Sequence, residues 1–146
     1  MTCRLNVVEI RALADADIER VIDLWHQAGL TRPWNDPYKD IERARAVYPE
    51  LVLVAVDAAA VVGSVIAGYD GHRGWLYYLA TAQDRRGEGI GRALVADAEQ
   101  RLLQLGCPKV QLMVRSTNAR VLGFYDSLGY ERDDVIVTGK RLIEDA

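Results

Sequence analysis

The chain has 146 residues, about half of them hydrophobic, which suits one domain with one core, spanning 1–146. A net charge of −3 with scattered basic residues gives no footprint for nucleic acid or acidic membranes. No apolar run reaches the length of a membrane span, and the polar start Met1-Thr2-Cys3-Arg4 is no signal peptide. Cys3 and Cys107 form no motif, and His26 and His72 lie far apart, so reduced thiols and no metal site are expected.

In chain order, Val7 to Ile10 is a short strand candidate. Asp15 or Asp17 can cap the next segment, where Ile18, Val21, Ile22 and Trp25 recur at helical spacing until Gly29 stops it. Leu30 to Tyr38 holds two prolines and reads as a loop, and Tyr38 to Val47 as a second helix with a charged face. Leu51 to Val56 is a buried strand. Asp57-Ala58-Ala59-Ala60 is a hairpin turn without the usual Asn-Gly or Asp-Gly, and Val61 to Tyr69 pairs back. Gly71 to Gly74 turns into a further strand, Trp75 to Ala80.

The stretch Arg85-Arg86-Gly87-Glu88-Gly89-Ile90-Gly91-Arg92 carries most of the functional information. Three alternate glycines let the backbone approach a ligand without intervening Cβ atoms. The helix that follows, Gly91 to Leu105, points its unpaired N–H groups and positive dipole end into the same space, a combination that binds phosphate. Flanking arginines add charge-assisted donors. The dinucleotide spacing G-x-G-x-x-G fails, because its last position falls on Arg92 or Leu94, and no P-loop run exists. Beyond Gly106, Lys109 to Arg115 alternates as a strand, Asn118 to Leu128 is a short helix ended by Gly129, and Tyr130 to Arg132 and Val135 to Leu142 supply the last strands. The order βααβββαβαβ, with one more β, predicts an α/β mixed sheet with helices on both faces.

The R-x-x-G-x-G run from Arg86 to Gly91 resembles the coenzyme A pyrophosphate loop of the GNAT family of N-acetyltransferases. The segments Arg32 to Pro37, Gly68 to Gly74, Gly106 to Lys109 and Gly139 to Asp145 resemble YpeA-like acetyltransferases, a likeness that runs from about Glu9 to the C-terminus. The resemblance implies the GNAT acyl-CoA N-acyltransferase fold, with a mostly antiparallel central sheet. It also implies acetyl-CoA as the donor. Arg86, Gly87, Glu88, Gly89, Ile90, Gly91 and Arg92 would hold its pyrophosphate. Backbone groups of Leu79, Ala80 and Thr81 would meet the pantetheine arm and the thioester oxygen. Thr81 stands where the family usually has Val, and Gln83 where it has Pro.

Asn118 to Tyr130 resembles the family segment N-x-x-A-x-x-x-Y-x-x-x-G-F, which makes Asn118 a cofactor contact and Tyr125 the general acid. A phenol near pKa 10 can donate to a departing thiolate, whose pKa is about 8.5 judged from cysteine. The Glu that related ribosomal-protein alanine acetyltransferases carry five residues before the Asn is Met113 here. Asp36, Asp70, His72 or ordered water then remain as the route for the amine's proton. By family position the acceptor pocket takes Arg32, Trp34, Asn35, Asp36, Tyr69 and Asp70, with His72 beside them. Asp36 can equally be the N-cap of the helix begun by Pro37.

The expected activity is transfer of an acetyl group from acetyl-CoA to a primary amine, on a small molecule. A non-catalytic coenzyme A-binding sensor and a peptide N-acetyltransferase are the alternatives. A cytoplasmic location and a possible homodimer complete the expectation.

Overall fold

A computed structural model describes residues 8–145. Five strands form one sheet in the order β1-β2-β3-β4-β5. They are β1 (Glu9–Ala12), β2 (Val52–Asp57), β3 (Ala60–Tyr69), β4 (Gly74–Thr81) and β5 (Val110–Leu112). The first four are antiparallel neighbours, and β5 joins β4 in parallel. Four α-helices complete the order: α1 (Ile18–Gln27), α2 (Pro37–Val47), α3 (Ile90–Gln104) and α4 (Ala119–Ser127). Val7, the start of the expected first strand, lies outside the described residues, as does Cys3. Among the described residues no helix is long and apolar enough to cross a membrane.

Two consecutive residues of β3 show that the helices cover both faces of the sheet. A Cβ on Gly63 would lie 2.9 Å from Ile90 and Leu94 of α3, while Ser64 accepts a hydrogen bond at 2.9 Å from the indole of Trp25 in α1. Successive strand residues point to opposite faces, so α3 packs on one side and α1 on the other. The core is largely aliphatic on both faces: by the strand register Leu53 and Val65 lie on the α3 face with Leu94, Ala98 and Leu102, and Val54 lies on the α1 face with Leu24 and Trp25, all buried. Gly63 is therefore a packing glycine, since a side chain there would collide with α3.

The β2–β3 hairpin closes through Ala58 and Ala59 at φ +49° and +68°. Two residues with positive φ make a type I′ geometry, which the missing Asn-Gly signal would have supplied without strain. Asp17 also departs from expectation. Its carboxylate turns back to accept from the Ala14 amide at 2.8 Å and from Arg11 at 2.6 Å, and no side chain caps α1.

The strands expected at Tyr130 to Arg132 and Val135 to Leu142 are absent; this stretch is irregular and exposed. β5 keeps only three of the seven residues expected for it, and the tail beside it is tied by side chains alone, with Asp133 near Lys109 and Gln111. With so short a strand next to it, Val135 to Val137 has no ladder to join and stays at 64–90% exposure despite its β-prone composition. The tail is fixed instead at Asp145, whose side chain accepts from the Asp36 amide and pairs with Arg43, each at 2.9 Å.

Candidate active site

β4 and β5 are hydrogen-bonded only between Gly74–Leu76 and Val110–Leu112. Past Leu76 the two chains part, leaving the β5-facing backbone edge of Tyr77 to Thr81 without a partner strand. An open cleft of about 1240 Å³ occupies the split. This exceeds the roughly 300–1,000 Å³ of a pocket for one drug-sized ligand, so the cleft has room for two substrates. One wall is the β4 end with the Arg85–Arg92 loop, the other is Leu112 to Arg115 with α4, and the far end is built by α2 and the loop before it.

At the loop end, Gly87 and Gly89 adopt φ +82° and +85° and have nothing within 4 Å of where a Cβ would stand. Gly89 is the N-cap of α3, and no side chain caps the helix. The first N–H groups of α3 are thus left for a ligand, which is the donor set a pyrophosphate takes. Arg86, Gly87, Gly89, Ile90, Gly91 and Arg92 line the cleft. Glu88 is turned to Arg85, which donates to it at 2.9 and 3.0 Å and also to Asp57 at 2.7 Å. Arg85 is thereby a brace of the loop. The observed geometry fits a phosphate-bearing donor such as coenzyme A.

Leu79, Ala80 and Thr81 line the middle of the cleft, and Asn118 and Tyr125 face it from α4. Asn118 caps α4 by accepting from the Val121 amide at 3.3 Å. Tyr125 is 7% exposed and packs edge-on against Phe124 and Tyr130. Burial pushes its phenol up to about 12, so it is fully protonated at neutral pH. Met113 lines the same wall and is half exposed.

The expected acceptor residues separate into two groups. Arg32, Asn35, Tyr69 and Asp70 line the cleft; Trp34, Asp36 and His72 do not. Trp34 is 53% exposed. Asp36 is the N-cap of α2, accepting from the Tyr38 amide at 2.9 Å. His72 contributes its backbone amide to Asp70. Asp70 itself closes the Gly71–Arg73 turn, accepting from the His72 and Arg73 amides at 2.8 and 2.7 Å and from the Trp75 indole at 3.2 Å. Those donors hold its carboxyl below the usual carboxylate range, the two backbone N–H groups being the main cause. A carboxylate so engaged is a poor proton acceptor.

Sequence reasoning did not single out Asp40 and Tyr78, which sit together at the α2 end of the cleft. The signal was the α2 stripe Asp40, Ala44, Val47, spaced i, i+4, i+7 and all lining the cleft. It places one carboxylate in an otherwise apolar row.

A sheet that parts beside the start of a glycine-led helix, with a tyrosine facing the gap, is the arrangement that the sequence resemblance to N-acetyltransferases implies. The chain belongs to the acetyltransferase (GNAT) family, whose model matches residues 18–130. It is 51% identical over 138 residues to acetyltransferase YE1169 of Yersinia enterocolitica, covering 94% of this chain and 98% of that relative. Ard1 from Thermoplasma volcanium superposes with a TM-score of 0.75 at 26% identity, over 84% of this chain and 81% of that one. The aminoglycoside N-acetyltransferase AAC(6')-Iy, in complex with CoA, gives a TM-score of 0.77 at 16% identity over 97% and 99%, a likeness of fold.

Proposed function

We propose that the protein transfers an acetyl group directly from acetyl-CoA to a primary amine of a small molecule. The observation that carries this is the single cleft shared by an uncapped α3 N-terminus, the free edge of β4 and the Tyr125 ring. Acetyl-CoA supplies an acetyl group activated as a thioester. The N–H groups that open α3, with Arg86 and Arg92, hold the pyrophosphate. Backbone N–H groups between Leu79 and Thr81 polarise the thioester carbonyl, and a preorganised donor of this kind is worth roughly 3 kcal/mol in a well-studied case. The amine nitrogen bonds to the carbonyl carbon as the C–S bond breaks. The amine's proton leaves to water, and the Tyr125 phenol protonates the departing sulfur. Tyr125 then recovers its proton from solvent.

A small acceptor is favoured by the cleft wall at Met113, where no carboxylate meets an extended peptide end. The fold-sharing AAC(6')-Iy, seen also with a bisubstrate analogue of CoA and acetylneamine, is a precedent for a small amine in this architecture. A cytoplasmic location and a homodimer belong to the same proposal, and size-exclusion chromatography tests the second. The decisive experiment is free-thiol release from acetyl-CoA across a panel of polyamines, amino acids, aminoglycosides and peptides. Turnover of a small amine is the expected result. Turnover of peptides alone overturns the small-acceptor part, and acetyl-CoA binding without any turnover favours a sensor.

A further inference from the structure

Only two carboxylates line the cleft among the described residues, Asp40 and Asp70. Asp70 is consumed by its own turn. Asp40 is placed differently. Its Oδ2 accepts from the Tyr78 hydroxyl at 2.6 Å, while among the described residues its Oδ1 has no donor closer than Arg43 at 3.9 Å. Arg43 is committed elsewhere, to Asp145 at 2.9 Å. The Asp40 side chain keeps 24% of its surface accessible, and the residue lines the cleft. Arg32, which lines the cleft at this end, directs Nη1 to the Gly29 and Thr31 carbonyls, each at 2.8 Å.

The fold invests considerable structure in this one carboxylate. Tyr78 sits at φ +54°, a strained conformation for a residue with a Cβ. The β3–β4 register shifts at the same place, between Ser64 and Ile66. Its ring is stacked on Trp25 at 3.9 Å and 10°. Trp25 donates to Ser64 at 2.9 Å, and Ser64 donates to the Tyr78 carbonyl at 3.3 Å. The strained residue is thus clamped by ring, carbonyl and hydroxyl, and its phenol ends on Asp40. It also directly precedes Leu79, where the free edge of β4 receives the thioester. Strain held by surrounding structure at such a place marks function.

Given transfer to a small amine, we propose that Asp40 is the acceptor anchor: it takes a second, non-reacting ammonium of an acceptor with more than one amine on its Oδ1, with Tyr78 as the positioning residue that fixes its other oxygen. The cleft therefore selects small amines that arrive positively charged, and discriminates against amines whose nearest substituent is a carboxylate or phosphate. Beside Arg32, Asn35 and Asp70, this end adds Ala44, Val47, Tyr48 and Tyr69 as an apolar and aromatic surround for a carbon skeleton. A charge-assisted hydrogen bond in such surroundings is among the stronger single contacts a ligand can make.

The test uses the full chain with spermidine, 1,3-diaminopropane, kanamycin and lysine as acceptors at saturating acetyl-CoA. For the best of them, Asp40→Asn should raise the amine KM by about 10-fold or more, because the neutral amide keeps the shape and loses the charge. Asp40→Glu should restore part of it, and Tyr78→Phe, which keeps the stacked ring, should give a smaller rise in KM. Acetyl-CoA affinity measured by calorimetry should be unchanged in all three, which also reports that they are folded. An unchanged amine KM in folded Asp40→Asn overturns the anchor while leaving acetyl transfer intact. Absence of turnover by the wild type with every amine, despite acetyl-CoA binding, overturns the small-amine acceptor and the anchor with it.

Discussion

Replacing Gly91 with alanine should move stability and donor affinity in opposite directions. Gly91 lies in the first turn of α3 with an ordinary helical backbone, unlike Gly87 and Gly89. A Cβ built there meets Phe124 Cζ at 3.5 Å and Thr81 Oγ1 at 3.6 Å, which is normal van der Waals contact. The apo protein therefore has room for a methyl group. Alanine is favoured over glycine in helices by up to about 1 kcal/mol, less near a terminus, so a gain of about 0.5–1 kcal/mol is expected. For a chain of this size that is a rise in Tm of roughly 1–4 °C. The same methyl stands between the α3 N–H groups and the phosphates they would hold, and should weaken acetyl-CoA binding by about 10- to 100-fold, or roughly 1.4–2.7 kcal/mol. Thermal melting and calorimetric titration of one protein preparation measure both. A more stable variant with unchanged affinity would mean that the phosphates lie elsewhere. A less stable one would refute the reading of the space around Gly91. Gly89 cannot serve this purpose, since φ +85° makes any side chain there costly by about 1–2 kcal/mol before a ligand arrives.

Tyr125→Phe should lower kcat by about 100-fold with little effect on acetyl-CoA affinity, because only the proton donor is removed; wild-type turnover would assign Tyr125 to packing against Phe124 and Tyr130. The double substitution Ala58→Asn with Ala59→Gly in the β2–β3 turn should stabilise the fold by about 1–2 kcal/mol, by relieving two alanines at positive φ, and should leave kcat unchanged; an unchanged or lower urea midpoint would refute it. Asp17 is held below the usual carboxylate range chiefly by the Arg11 hydrogen bond. Its stabilising contribution is complete above the ordinary value of 3.8 and is lost as pH falls through the lower folded value. Asp17→Asn should thus cost about 1 kcal/mol near neutral pH, discounted for the partly exposed Arg11, and the gap in urea midpoint from wild type should close progressively as pH falls below 3.8. A gap independent of pH would contradict the ionic origin.

Local signals explain which elements the sequence revealed. The helix after the glycines is observed as Ile90–Gln104, because Leu94, Ala98 and Leu102 repeat at helical spacing and are all buried. Gly29 ends α1 as expected, at φ +69°. The tail misled for a physical reason: Val135-Ile136-Val137 has the composition of a strand, but strand formation needs a partner edge, and β5 is too short to give one. Trp34 misled similarly: a tryptophan in a loop suggests a binding wall, yet it is 53% exposed. Asp36 follows the other of its two readings, the N-cap of the helix begun by Pro37.

The two ends of the cleft differ in how far apart their determinants lie in the chain. The donor end is made of backbone: glycines, a helix start and a strand edge, all within Leu79 to Arg92. Such a site is written into one short stretch and can be recognised there. The proposed acceptor end is made of side chains brought together over long separations, Tyr78 to Asp40 across 38 positions, with Trp25 to Ser64 across 39 and Asp36 to Asp145 across 109 supporting it from outside the cleft. None of these pairs has a local pattern, and Asp40 alone reads as one more charge on a helix face. On the proposed assignment, donor chemistry would stay constant while acceptor chemistry changed through a single substitution on α2 or at the strained position of β4. Asp40 and Tyr78 are the pair at which a change of acceptor should first be sought.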